Sequence, residues 1–125
     1  MSHHIYSNSR PAVAASSGNV ANAVATATLP AAAGLVTHIG GFSVHGLGAT
    51  SQTTVQVTVS GLVGVTLTYP LFIAASSATA PFTPIVISFD PPLPASTGNT
   101  AIVVSCPALG AGNTSVVANA FGYQA

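Results

Sequence analysis

The stretch that decides the fold is Phe89–Ala125, FDPPLPASTGNTAIVVSCPALGAGNTSVVANAFGYQA. Asp90-Pro91-Pro92-Leu93-Pro94 predicts an extended, polyproline-like crossing, because proline sets φ and removes a donor. Ala95–Asn99 reads as a loop. Thr100–Cys106 and Thr114–Tyr123 then read as two strands, rich in Val, Ala and Thr and free of helical periodicity. Between them Pro107–Asn113 carries the Gly and Asn of a turn. The reading is a closing β-hairpin, and much of the upstream chain follows the same grammar.

Working outward, Ile85–Phe89 places Ile85, Ile87 and Phe89 in phase, as one strand. Thr53–Ser60 is a half-buried strand with Val55, Val57 and Val59 inward and Thr54, Gln56 and Thr58 outward. Gly61–Gly64 turns it into Val65–Phe72, and the two predict an antiparallel hairpin. Its Thr-rich face is either wet or pressed on another subunit. Pro70 marks an edge or a break. Ile73–Ala75 starts a short strand before the loop 76–84.

Leu35–Gly46 reads as one long strand. Leu35, Thr37 and Ile39 share a face, but beyond Gly40-Gly41 the apolar phase moves to Phe42 and Val44. A one-residue change of phase at a glycine pair predicts a β-bulge. Asn19–Leu29 alternates strictly, so it reads as a strand despite its alanines, and Pro30 ends it.

Short strands with turn signals every 8–12 residues predict an all-β fold. The expectation is a single antiparallel β-sandwich, jelly-roll-like, of seven to eight strands over residues 19–125. Residues 1–18 precede it as an extended N-terminal arm. The arm holds His3, His4, Tyr6 and Arg10, and reads either as a docking arm or as an untidy terminus.

The 125 residues are the size of one domain. Charged residues make up 2% of the chain, against roughly 25% in typical domains. Arg10 is the one base and Asp90 the one acid, so residues 11–89 carry no formal charge. Nucleic-acid binding and polybasic membrane contact need clusters of Lys and Arg, and both are excluded as expectations. Near-zero net charge favours self-association, since nothing repels a second copy.

Paired titratable groups for acid–base catalysis are missing: there is no Glu or Lys beside Asp90. Asp90, a histidine and any of many serines would make a triad on paper, but no GxSxG elbow selects a nucleophile. The chain therefore reads as no enzyme, with no cofactor. His3, His4, His38 and His45 lack structural-zinc spacing, and carboxylates for calcium are missing. Cys106, the single cysteine, sits in Val-Val-Ser-Cys-Pro and reads as a small core residue. MSHHIYSNSRP has no apolar h-region, which predicts no signal peptide. Gly61–Ala75 is too short and too interrupted to span a membrane. Tyr6, Tyr69, Tyr123, Phe72 and Phe82 are candidates for a sugar platform, although Tyr69 and Tyr123 fit strand ends with buried rings and wet hydroxyls.

The run Gly40–Gly46, the Val/Thr hairpin, and Asn99–Val104 through Gly110–Asn113 to Phe121–Tyr123 resemble small β-sandwich virion proteins of tailed bacteriophages, some of them capsid decoration (cement) proteins. The resemblance implies a protein on the capsid surface, binding the major capsid protein and self-associating as a homotrimer or another oligomer. With the arm residues, Gly110 and Asn113 are the candidate partner-binding positions, at the tip of the last turn. The alternatives are a receptor- or carbohydrate-binding sandwich of a head fibre or tail, and a tail or neck component.

Overall fold

The computed structural model describes residues 11–125. Among these the chain is all-β without a helix. The strands are β1 (Ala12–Ser16), β2 (Ala25–Leu29), β3 (Thr37–Ala49), β4 (Thr53–Ser60), β5 (Leu67–Ile73), β6 (Ile85–Pro94), β7 (Ile102–Cys106) and β8 (Asn113–Gln124). They form two antiparallel sheets of four, ordered β1-β8-β3-β6 and β2-β7-β4-β5.

The closing stretch is not a hairpin. β7 pairs with β2 and β4, whereas β8 pairs with β1 and β3 in the other sheet. The connection 107–112 is thus a crossing between sheets. The reason lies in the two apolar sets. Ile102, Val104 and Cys106 are fully buried from one sheet, and Val116, Ala118 and Ala120 from the other. In one half-exposed hairpin the two sets would share a single face. In two sheets they cover each other across the core, as sandwich packing requires.

β3 carries the expected bulge. Its register shifts between Ile39 and Gly41 against both β6 and β8. Thr37, Ile39, Phe42 and Val44 are all buried, so the extra residue keeps the apolar set inward across the bend. Gly41 meets a steric demand as well. A Cβ there would lie 2.6 Å from the Ile87 carbonyl oxygen and 2.7 Å from the Phe121 ring.

Residues 12–16, expected in the arm, are strand β1 and pair with β8 from Ala12↔Tyr123 to Ser16↔Asn119. The strand expected over 19–29 is shorter. Asn22 has a φ of 46°, a left-handed conformation that breaks the strand, so the ladder with β7 starts at Ala25, while upstream Val20 bridges Val116 of β8 in the other sheet. Asp90–Pro94 does not leave the sheet: β6 runs through it, and Leu93 and Pro94 pair with Ile39 and His38. β6 is an edge strand, where a missing N–H costs least. Pro70 is tolerated for the same reason on edge strand β5. That strand starts at Leu67 and takes in Ile73, leaving Val65 exposed.

β4 and β5 form the expected hairpin, with Val57 opposite Tyr69. Val55, Val57 and Val59 face the core. Phe42 is the largest fully buried side chain. Its ring meets Tyr69 of the opposite sheet at 5.3 Å and Phe89 at 6.1 Å. Burying a side chain of this size contributes about 1.5–3 kcal/mol. At one end Thr37 Oγ1 donates to the Pro30 carbonyl (2.7 Å), as does Gln124 Nε2 (3.0 Å). These bonds clasp the end of β2 to β3 and β8, and they satisfy two buried polar side chains.

Candidate interaction surfaces

The last turn is fixed from within and from its neighbours. Gly110 and Gly112 have φ of 101° and 89°, so glycine is required at both. The Gly110 N–H donates to Asn22 Oδ1 at 3.0 Å. The Gly112 carbonyl accepts from Thr50 Oγ1 at 2.7 Å. Gly110 is exposed. Asn113 is turned inward and buried, and its Nδ2 donates to Leu109 O (2.8 Å) and Gly110 O (3.2 Å). Its Oδ1 has no hydrogen-bond partner among the described residues. Of the two turn positions singled out from sequence, only Gly110 offers surface; Asn113 holds the turn closed. His3, His4, Tyr6 and Arg10 lie outside the described residues.

The outer face of the β1-β8-β3-β6 sheet holds the larger aromatic groups. His38 stacks on Tyr123, with ring centroids 4.6 Å apart and planes 10° from parallel. The two residues are register partners, which places the rings side by side. The His38 Nδ1 lies 3.0 Å from the Val36 carbonyl oxygen, a contact that fits a protonated Nδ1 donating to it. Phe121 lies over the Gly40–Gly41 bulge and is 52% exposed. Val86 is exposed beyond it. Phe121 was not singled out as a site residue from sequence. Its signal was available: it falls out of phase with Val116, Ala118 and Ala120, which predicts an outward ring.

The other sheet presents neutral polar groups, mostly hydroxyls. Thr26, Thr28, Thr54, Gln56 and Thr68 are exposed, with Phe72 among them. Of the other aromatic candidates, Tyr69 packs inward on Phe42 and Phe82 is buried. The bulge leaves both His38 and His45 on the outer side of β3, alternating with buried Ile39 and Val44. No group of three or more His, Cys, Asp or Glu that could hold a metal occurs among the described residues. Asp90 is exposed. Cys106 is fully buried, and burial pushes its thiol up to about 11. That is the opposite of a thiol activated for nucleophilic attack.

Two shallow hollows mark the surface. One of about 280 Å³ is lined by Phe72, Ala74, Ser76, Pro81, Phe82 and Thr83. The other, about 450 Å³, lies along β1 and β8 and is lined by Ala14, Ala15, Ser16, Asn119, Ala120 and Phe121. Neither lining includes a titratable side chain, so what these surfaces offer is packing and neutral hydrogen bonding. Among the described residues no helix is long and apolar enough to cross a membrane. No protein-family model matches the sequence, and comparison with curated proteins finds no relative.

Proposed function

We propose that the fold is a jelly roll and that the protein is a structural component of a virus particle, a decoration protein that binds the major capsid lattice of a tailed phage. The observation that carries this reading is the strand order. β1 pairs with β8, β2 with β7, β3 with β6 and β4 with β5. That nesting is one long antiparallel hairpin rolled into two sheets, the plan of jelly rolls, which recur in viral capsids and in lectins. The surface favours the capsid reading. Its neutral Thr, Ser, Asn and Ala faces pack on another protein without stripping water from charges. Charge-poor centres are the rule in protein–protein interfaces. The resemblance to small virion sandwiches points the same way.

The test is cryo-electron microscopy of the particles with which the protein copurifies. Density at the junctions between capsid hexamers is expected. Density confined to the tail or neck would replace the decoration role with the tail or neck role. The flat His38–Tyr123 stack favours one second reading, a carbohydrate-binding sandwich, since sugar rings pack on aromatic faces. A glycan array with strong binding lost on Tyr123→Ala would favour it over the capsid role.

A further inference from the structure

The two sheets end in four edge strands, and these are treated differently on the two sides of the molecule. On one side, β6 carries Pro91, Pro92 and Pro94 together with Asp90, the one carboxylate side chain of the sequence, and β5 carries Pro70. Proline and charge are the usual devices that stop an edge from pairing with another chain. On the other side, β1 (AVAAS) and β2 (ATATL) contain neither.

β1 presents a regular set of backbone groups. The Pro11 carbonyl accepts from the Gln124 N–H (2.9 Å), and the Ser17 N–H donates to the Ala118 carbonyl (2.8 Å). Antiparallel ladders alternate, so residues 11, 13, 15 and 17 face β8. The N–H and C=O groups of Ala12, Ala14 and Ser16 therefore point away from the sheet. Among the described residues no strand lies beyond them.

We propose that β1 is a self-association edge, at which a second copy of this chain pairs its own β1 antiparallel across a two-fold axis. Ala14 is the central residue of the strand, so it sits on the axis opposite Ala14 of the other copy. Ala12 then faces Ser16 of the other copy, and the reverse. Every outward group of the three residues finds a partner in that register, for about six hydrogen bonds. An isologous contact needs a self-complementary patch, which an antiparallel edge centred on one small residue supplies. The side chains brought together are Ala and Ser, neutral and small. The hollow along Ala14, Ala15 and Phe121 leaves the approach clear. The product is one continuous sheet through both copies.

Light scattering on the size-separated full-length protein, from low to high micromolar concentration, tests this. The expected mass is twice the 12.2 kDa of the chain. Ala14→Pro deletes only an outward N–H and leaves the ladder to β8 intact, so it is expected to fold and to halve the mass. Ala14→Lys, at an exposed position, sets two like charges beside the axis and is expected to do the same without any backbone change. Circular dichroism checks that both variants keep the β fold. A single-chain mass for the unaltered protein, a threefold mass, or a twofold mass retained in the folded variants would each overturn the proposal. The readout needs no capsid, so a monomer that still decorates particles would remove the pairing and leave the proposed function standing.

Discussion

Cys106 shows how far one residue's environment departs from what its side chain does in water. The thiol is fully buried, and desolvation raises it from 9.0 to about 11. Between those values the unfolded chain gives up a proton that the folded chain keeps. Folding stability is therefore expected to fall as pH rises through 9.0 and to level off above about 11. Urea midpoints on either side of this window measure the slope. The decisive comparison is with Cys106→Ala, in which the thiol's share of the slope disappears. An identical slope in both proteins would contradict the assignment. The buried, inert character of Cys106 was legible from Val-Val-Ser-Cys-Pro, because alternation with Ile102 and Val104 puts all three on one face. The inward turn of Asn113 was not legible. An Asn in a Gly-rich turn is ordinarily solvated, and here its side chain is drawn inward by donating to the Leu109 and Gly110 carbonyls.

At the scale of the element, β3 holds the most information. Its bulge was readable because the apolar phase slips by one residue at a glycine pair, and only an extra residue reconciles the two halves. The structure adds the reason for glycine itself: the Phe121 ring and the Ile87 carbonyl occupy the space of a side chain at position 41. Gly41→Ala is expected to destabilise the fold by about 1–3 kcal/mol, the usual cost of forcing atoms into a filled site. Gly98→Ala is the matched control, since a Cβ there meets only the Leu35 carbonyl oxygen at 3.6 Å. It is expected to shift stability by less than about 0.5 kcal/mol. Chemical denaturation of the two variants checks this, and equal effects would contradict it. β6 was misread at its second half for a different reason. A run of prolines describes a chain that cannot donate, and it does so equally in a free crossing and along a sheet edge.

For the whole molecule, the scarcity of charge is the dominant physical fact. Attraction and repulsion between surface charges are what salt screens, and residues 11–125 carry one formally charged side chain, Asp90. The thermal midpoint is therefore expected to stay constant between low and physiological ionic strength at neutral pH. Differential scanning calorimetry across a chloride series measures it. A shift of several degrees would reveal an electrostatic contribution that this surface does not offer. The same neutrality leaves hydrogen bonding and shape to choose partners, which is why the proposed capsid role and the proposed β1 pairing both rest on surfaces rather than on a pocket.

The sequence by itself determined the class, most of the strand positions and which face of β2, β3, β4, β5 and the first half of β6 is buried. Alternation, proline and glycine act locally, over a few neighbouring residues. It also determined the scarcity of charge, because composition does not depend on folding. The tertiary structure alone decided the partners. Phe89–Ala125 reads as a hairpin by every local rule, and yet β7 and β8 lie in different sheets. Adjacent strands gain the same ladder hydrogen bonds from any partner in register. What separates the choices is the burial of Ile102, Val104 and Cys106 against the opposite sheet, and that depends on residues far away in the chain.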